Sequence, residues 1–278
     1  MNSSAHGLTG PQLFRSMTMF FGAFLFALLL NSYIIHEAGH AFGGVLFGCQ
    51  FEGLHLNPFG AGGWSNQCPE PMTQAGKFIQ GMGGEIFGLP VSIALTLLAW
   101  RKRSPVLLPL LMSATVVCIG NLISVLDSVS SYPGFIFDYG WMLKIGMPPF
   151  LLWVIAILSL VFGIILMDLL LPLAGIGITT PFWQVLILSF STWSIYMAIR
   201  LLYQSFNGMN IAGPISLLIF GIIVATLAAL AFKPVIKLMD RITHTEPVMP
   251  SPGAAWLSFG LGVALTVILV MSNPIWFG

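Results

Sequence analysis

Ser32-Tyr33-Ile34-Ile35-His36-Glu37-Ala38-Gly39-His40-Ala41-Phe42 sets an HExxH pattern inside an apolar run that holds no Asp, Glu, Lys or Arg other than Glu37 between Met17 and Phe51. On a helix His36 and His40 stand about 6 Å apart along the axis, so both imidazoles leave one face and can reach a single metal ion. Glu37 projects roughly 100° round from His36, placed to take a proton from a water molecule without being a ligand itself. Zinc-assisted hydrolysis of a peptide bond is the chemistry this pattern implies. A structural polar cluster is the competing reading. Against it stands the cost of a charged side chain in a membrane helix, about 2.5–3.5 kcal/mol on insertion scales, which calls for a partner such as a metal.

Composition decides the surroundings. Hydrophobic residues make up 57% of the chain and charged residues 7%, with a mean hydropathy of +0.94, which excludes an ordinary soluble domain and places the chain in a lipid bilayer. A net charge of +1 with no Lys/Arg-rich run leaves no electrostatic footprint for nucleic acid. Cys49, Cys68 and Cys118 form no CxxC pair. Cys118 reads as a buried thiol, while pairing of Cys49 with Cys68 is open should their segment face an oxidising compartment.

Apolar runs then give the organisation. Residues 1–16 read as a leader, 17–145 as a metal-bearing membrane core of three spans, and 146–278 as a region of four further spans. The first run, 17–47, exceeds the length needed to cross a ~30 Å hydrocarbon core, so it tilts, bends near Gly43-Gly44 or extends past the interface. It also lacks a small-residue cleavage site. Residues 49–76 are polar and glycine-rich, and the alternation from Phe51 to Leu56, a turn, and Gly62-Gly63-Trp64-Ser65 predict a short β-hairpin or re-entrant loop. An open strand edge there suits pairing with an unwound substrate segment. Further runs near 77–100, 105–129, 149–175, 181–206, 213–238 and 254–272 complete an expected all-α polytopic membrane protein of about seven transmembrane helices. With a cytoplasmic amino terminus, seven of the ten Lys and Arg residues lie on the cytoplasmic side, as the positive-inside rule prefers. Glu85, in the glycine-rich start of the second span, reads as a polar contact or a partner of a ligand.

Taken together, the HExxH in an early membrane helix, the glycine-bearing hairpin, the glycines at 81, 83, 84 and 88, and an Asp after the third span resemble the site-2 protease family of intramembrane zinc metalloproteases. The resemblance covers roughly residues 17–145. It implies that His36, His40 and a distant aspartate bind zinc, that Glu37 is the general base, and that the substrate is a membrane-embedded segment of another protein. The family's Asp-Gly motif, preceded by an Asn- and Pro-containing stretch, has its nearest counterpart in Asn121, Pro133-Gly134 and Asp138-Tyr139-Gly140. Asp138 is therefore expected as third ligand over Asp127, which lies in continuous apolar sequence where an Asp can instead be a helix–helix contact. Two other readings stand beside it. One is a non-catalytic membrane subunit that keeps the fold inside a larger complex with membrane partners. The other is the chamber-type prenyl-protein protease, which needs a downstream Glu ligand for which Glu85 is the only candidate.

Overall fold

A computed structural model of the chain describes residues 7–56, 62–131, 138–206, 212–243, 246–272 and 275–276. The hairpin turn at 57–61 and the Pro133-Gly134 turn expected from sequence lie outside these residues. Among the described residues seven helical stretches are long and apolar enough to cross a membrane: Gly10–Val45, Gly83–Trp100, Pro105–Ser130, Pro149–Ala174, Phe182–Leu202, Leu218–Leu238 and Pro252–Met271. The protein is thus an all-α polytopic membrane fold with a small sheet after its first span.

The first span starts earlier than the apolar run suggests. Helix α1 covers Gly10–Leu28. Thr9 explains the start: its backbone N–H donates to Gln12 Oε1 at 2.9 Å, and its hydroxyl donates to the same oxygen at 3.0 Å. Gln12 thereby reaches back to the residue before the helix as in a capping box, and Pro11 occupies the first turn, where its missing N–H costs nothing. Seven π-helical residues, Leu29–Ile35, follow before α2, His36–Val45. The wider turn falls directly ahead of the HExxH residues, a place where π-bulges recur at functional sites. Irregularity in this span therefore precedes the metal motif and is not at Gly43-Gly44.

After α2 come β1, Gln50–Leu56, and β2, Gly62–Gln67. They pair antiparallel with Gln50 opposite Gln67 and Leu54 opposite Trp64, and a register shift between Phe51 and Gly53 leaves Glu52 as the extra residue of a bulge. The Ser65 hydroxyl donates to the Glu52 carboxylate across it. Helix α3, Gln74–Gly81, leads through a break at Met82 into α4, Gly83–Trp100, which is the second span and starts six residues later than the run from 77 suggests. The third span joins a 3₁₀ turn, Pro105–Leu107, to α5, Leu108–Leu111, and α6, Ser113–Ser131. A short α7, Gly140–Lys144, leads to α8, Pro149–Leu170, α9, Phe182–Phe206, α10, Ala212–Thr243, and α11, Pro252–Met271. The two-residue strand β3, Ile275–Trp276, adds to β1, giving the order β2-β1-β3.

The chain forms two compact units. One comprises Met1–Ala27, Leu98–Met112 and Ile164–Ala264. In it α1 meets α11 closely, since a side chain on Gly22 would overlap the Phe259 backbone and one on Gly262 the Gly22 carbonyl; small residues permit this backbone approach where lipid supplies no hydrophobic drive. Phe24 packs edge-on against Trp193 at 5.8 Å, and Ser16 Oγ donates to the Ala174 carbonyl at 2.6 Å. The other unit comprises Leu28–Leu97, Ser113–Gly163 and Leu265–Gly278, and it holds the whole HExxH region. Within it the α8 residues Leu151, Val154, Ile157, Leu158, Val161 and Phe162 are exposed, an apolar surface matched to hydrocarbon and not to water.

Candidate metal centre

Four side chains from three parts of the second unit converge. His36 and His40 come from α2, Glu85 from the start of α4, and Asp138 from the segment just before α7; one potential ligand atom from each lies within 4.8 Å of all the others. The two histidine Nε2 atoms are 3.0 Å apart. Asp138 Oδ1 sits 3.2 Å from His40 Nε2 and 3.7 Å from His36 Nε2. Asp127 is not in this group and is exposed on α6.

The close approach of α2 to the second span makes this convergence possible. A Cβ on Gly83 would overlap the Gly39 backbone, and one on Gly39 would overlap Gly83. Gly84 lies against the His36 ring, which a side chain there would strike. The glycine cluster read as a helix-approach signal is therefore what admits His36 and His40 to the same space as Glu85.

Each histidine has a partner on its other nitrogen. His40 Nδ1 is 2.8 Å from the Gln80 carbonyl oxygen, an acceptor only, so Nδ1 carries a proton and Nε2 is the nitrogen turned toward Asp138. The ring is also stacked on the Trp64 indole of β2 at 4.2 Å with 13° between planes. His36 Nδ1 faces Glu85 Oε1 at 3.9 Å. Ser124 on α6 donates to Asp138 Oδ2 at 2.8 Å and approaches Glu85 Oε1 at 3.4 Å, which turns Oδ1 of Asp138 toward the histidines. Such outer contacts fix the orientation and basicity of metal ligands. Among the described residues Glu85 Oε2 is buried with no hydrogen-bond partner, as expected of a donor set arranged around a cation.

Burial raises the affinity of the Asp138 carboxyl for a proton, but its contacts with His36 and His40 outweigh this and hold it below the usual carboxylate range. The neighbouring Tyr139 hydroxyl is pushed up by burial and by the Glu85 and Asp138 carboxylates. Glu37 is buried, at 8% exposure, within electrostatic reach of His36, His40 and Asp138, and it stands outside the four-residue ligand group.

Of the residues singled out from sequence, the structure thus brings His36, His40, Glu85 and Asp138 to one point with Glu37 beside them. Ser124, Trp64 and the Gln80 carbonyl were not anticipated. A serine three residues after Asn121 in an apolar span was the available signal for Ser124; a backbone carbonyl has none. Asn31 was also missed: it is buried in the π segment and its Oδ1 accepts from Ser92 Oγ at 2.6 Å, tying the approach to α2 onto α4. No protein-family model, curated protein or solved structure matches the chain.

Proposed function

We propose that the protein is an integral multi-pass membrane zinc metalloprotease that hydrolyses peptide bonds of membrane-embedded protein substrates. The observation that carries the reading is the spacing of the three donor atoms. Tetrahedral zinc with ligands at about 2.0–2.1 Å separates neighbouring donors by about 3.3 Å. The three separations among His36 Nε2, His40 Nε2 and Asp138 Oδ1 are 3.0, 3.2 and 3.7 Å, which bracket that value. Two imidazoles and one carboxylate also match the ligand chemistry of catalytic zinc, which keeps a fourth position open.

His36, His40 and Asp138 are the residues that hold the ion, and Glu85 and the Gln80 carbonyl orient the two rings. When bound, zinc supplies Lewis-acid polarisation of the scissile carbonyl and lowers the pKa of water. Glu37, excluded from the ligand group by its position on α2, holds the proton removed from the attacking water on its carboxylate and returns it to the leaving amine. Burial of the site restricts bulk water, which strengthens each of these electrostatic interactions.

Glu37→Gln tests the assignment. It keeps the shape and the ligands but removes the base, so the variant retains zinc and loses cleavage of a membrane-protein substrate. Cleavage at the wild-type rate by Glu37→Gln would eliminate this mechanism. A chain that binds zinc yet cleaves no membrane substrate, with or without Glu37, would instead favour the non-catalytic subunit.

A further inference from the structure

Cys49 and Cys68, nineteen residues apart, are joined by a disulfide that closes the open end of the hairpin, since Cys49 immediately precedes β1 and Cys68 immediately follows β2. From this closed end three contacts lead to α2 and to His40. Trp64 on β2 carries the indole stacked on the His40 ring. Asn66 Nδ2 donates to the Ala41 carbonyl at 3.1 Å. Gln80 joins both ends of the connection, because its side-chain Nε2 donates to Cys68 Sγ at 3.7 Å while its own carbonyl holds His40 Nδ1 at 2.8 Å. Strand β2 is an edge strand bonded on one side only, to β1, so the disulfide is the covalent restraint that keeps Trp64 opposite Leu54.

The two sulfurs differ in access. Cys49 is 5% exposed, whereas Cys68 is half-buried between the exposed residues Gln67 and Pro69. Exchange needs an approachable sulfur, which Cys68 offers, and Cys49 is then the leaving group.

We propose that the Cys49–Cys68 disulfide is a redox modification site opened by a dithiol reductant at Cys68 Sγ, and that its opening frees Trp64 and Gln80 from His40 and weakens the metal centre. The inference rests on the metal-site reading above. A reductant thiolate attacks Cys68 Sγ, the Cys49–Cys68 bond breaks, and Cys49 leaves as a thiolate that takes up a proton. The second thiol of the reductant then displaces Cys68, so two electrons pass to the cysteine pair and the reductant ends as its own disulfide. With the ends of β1 and β2 released, the Trp64 stack and the Gln80 contact on Cys68 lose their anchor. Loss of the groups that orient a ligating histidine costs about 10–100-fold in metal affinity.

The test uses the full chain in detergent. One sample is reduced with dithiothreitol, alkylated with iodoacetamide and freed of reductant; a control is alkylated without reduction; both are reloaded with zinc and titrated with a competing chelator. The reduced sample is expected to bind zinc about 10–100-fold more weakly than the control. Oxidised Trp64→Ala should show a loss of the same order, and reduction should lower its affinity by less than it lowers that of the wild-type chain, because the two changes share the Trp64 contact. Equal zinc affinity in the reduced and control samples overturns the proposal, as does an effect of reduction undiminished in Trp64→Ala. A control that binds no zinc overturns the metal-site reading itself, whereas a zinc-binding chain indifferent to reduction leaves that reading standing and removes only the redox clamp.

Discussion

Replacing Gly83 with alanine tests whether backbone contact between α2 and the second span sets the metal centre. A Cβ at Gly83 would lie 2.7 Å from both the Gly39 carbonyl carbon and His40 Cα, with the Gly39 oxygen nearer still, where ordinary contact begins at 3.4 Å. These are backbone atoms, so no rotamer change relieves the overlap, and α2 must retreat by about 0.7 Å or more. Overpacking of this kind costs about 1–3 kcal/mol, whereas the gain in helix propensity from Gly to Ala is at most about 1 kcal/mol. The overlap wins, and the variant is expected to unfold at a lower temperature. The functional effect is larger than the stability effect. Metal sites tolerate displacements of about 0.2 Å, and a retreat of α2 carries His40 away from the Gln80 carbonyl at 2.8 Å and Asp138 at 3.2 Å. Zinc affinity, measured by chelator competition in detergent, should fall by at least the roughly 10–100-fold typical of lost ligand orientation. A Gly83→Ala chain that binds zinc as tightly as wild type and unfolds no earlier would refute the argument.

Asp168 is fully buried and neither of its carboxylate oxygens has a hydrogen-bond partner among the described residues, so Asp168→Leu should raise the unfolding temperature by removing a penalty of about 1–3 kcal/mol; a lower unfolding temperature would show that the carboxyl contributes favourably. Ser92→Ala removes the hydroxyl that Asn31 Oδ1 accepts from at 2.6 Å and should cost about 1–3 kcal/mol in the same assay, with Ser92→Thr recovering part of it. Thr9→Ala removes the hydroxyl bond to Gln12 Oε1 while the backbone N–H keeps its own, so it should cost about 0.5–1.5 kcal/mol, with no change in zinc content; zinc loss there would contradict the confinement of the metal centre to the second unit.

Much of this architecture is written in the apolar runs. Helix ends near residues 100, 206 and 271 follow from where hydrophobicity stops, because in lipid the backbone must bond to itself and length is set by the bilayer, whereas α10 runs past its apolar stretch to Thr243. The hairpin was legible in the alternation from Phe51 to Leu56 and the glycines after it. What the runs conceal is irregularity. Nothing in the largely apolar character of Leu29–Ile35 distinguishes a π segment from an α-helix, since both bury the same side chains, although the amide of Asn31 marks the place where α4 is gripped. The Met82 break is similarly hidden among glycines that signal close approach equally well. At the site, His36, Glu37 and His40 were fixed by their spacing on one helix. Asp138 had to be chosen against Asp127 because it reaches the site through a segment without periodicity, and Ser124 and the Gln80 carbonyl entered only with three-dimensional placement. The Thr9–Gln12 cap could have been read as a T-x-x-Q pattern, but the start of the apolar run at Met17 masked it.

Zinc content of the purified protein, determined by elemental analysis for wild type, Asp138→Ala and Asp127→Ala, bears most directly on the central claim that His36, His40 and Asp138 hold a metal. The account predicts bound zinc in wild type and in Asp127→Ala, and its loss in Asp138→Ala. Zinc-free wild type, or retention in Asp138→Ala with loss in Asp127→Ala, would contradict it.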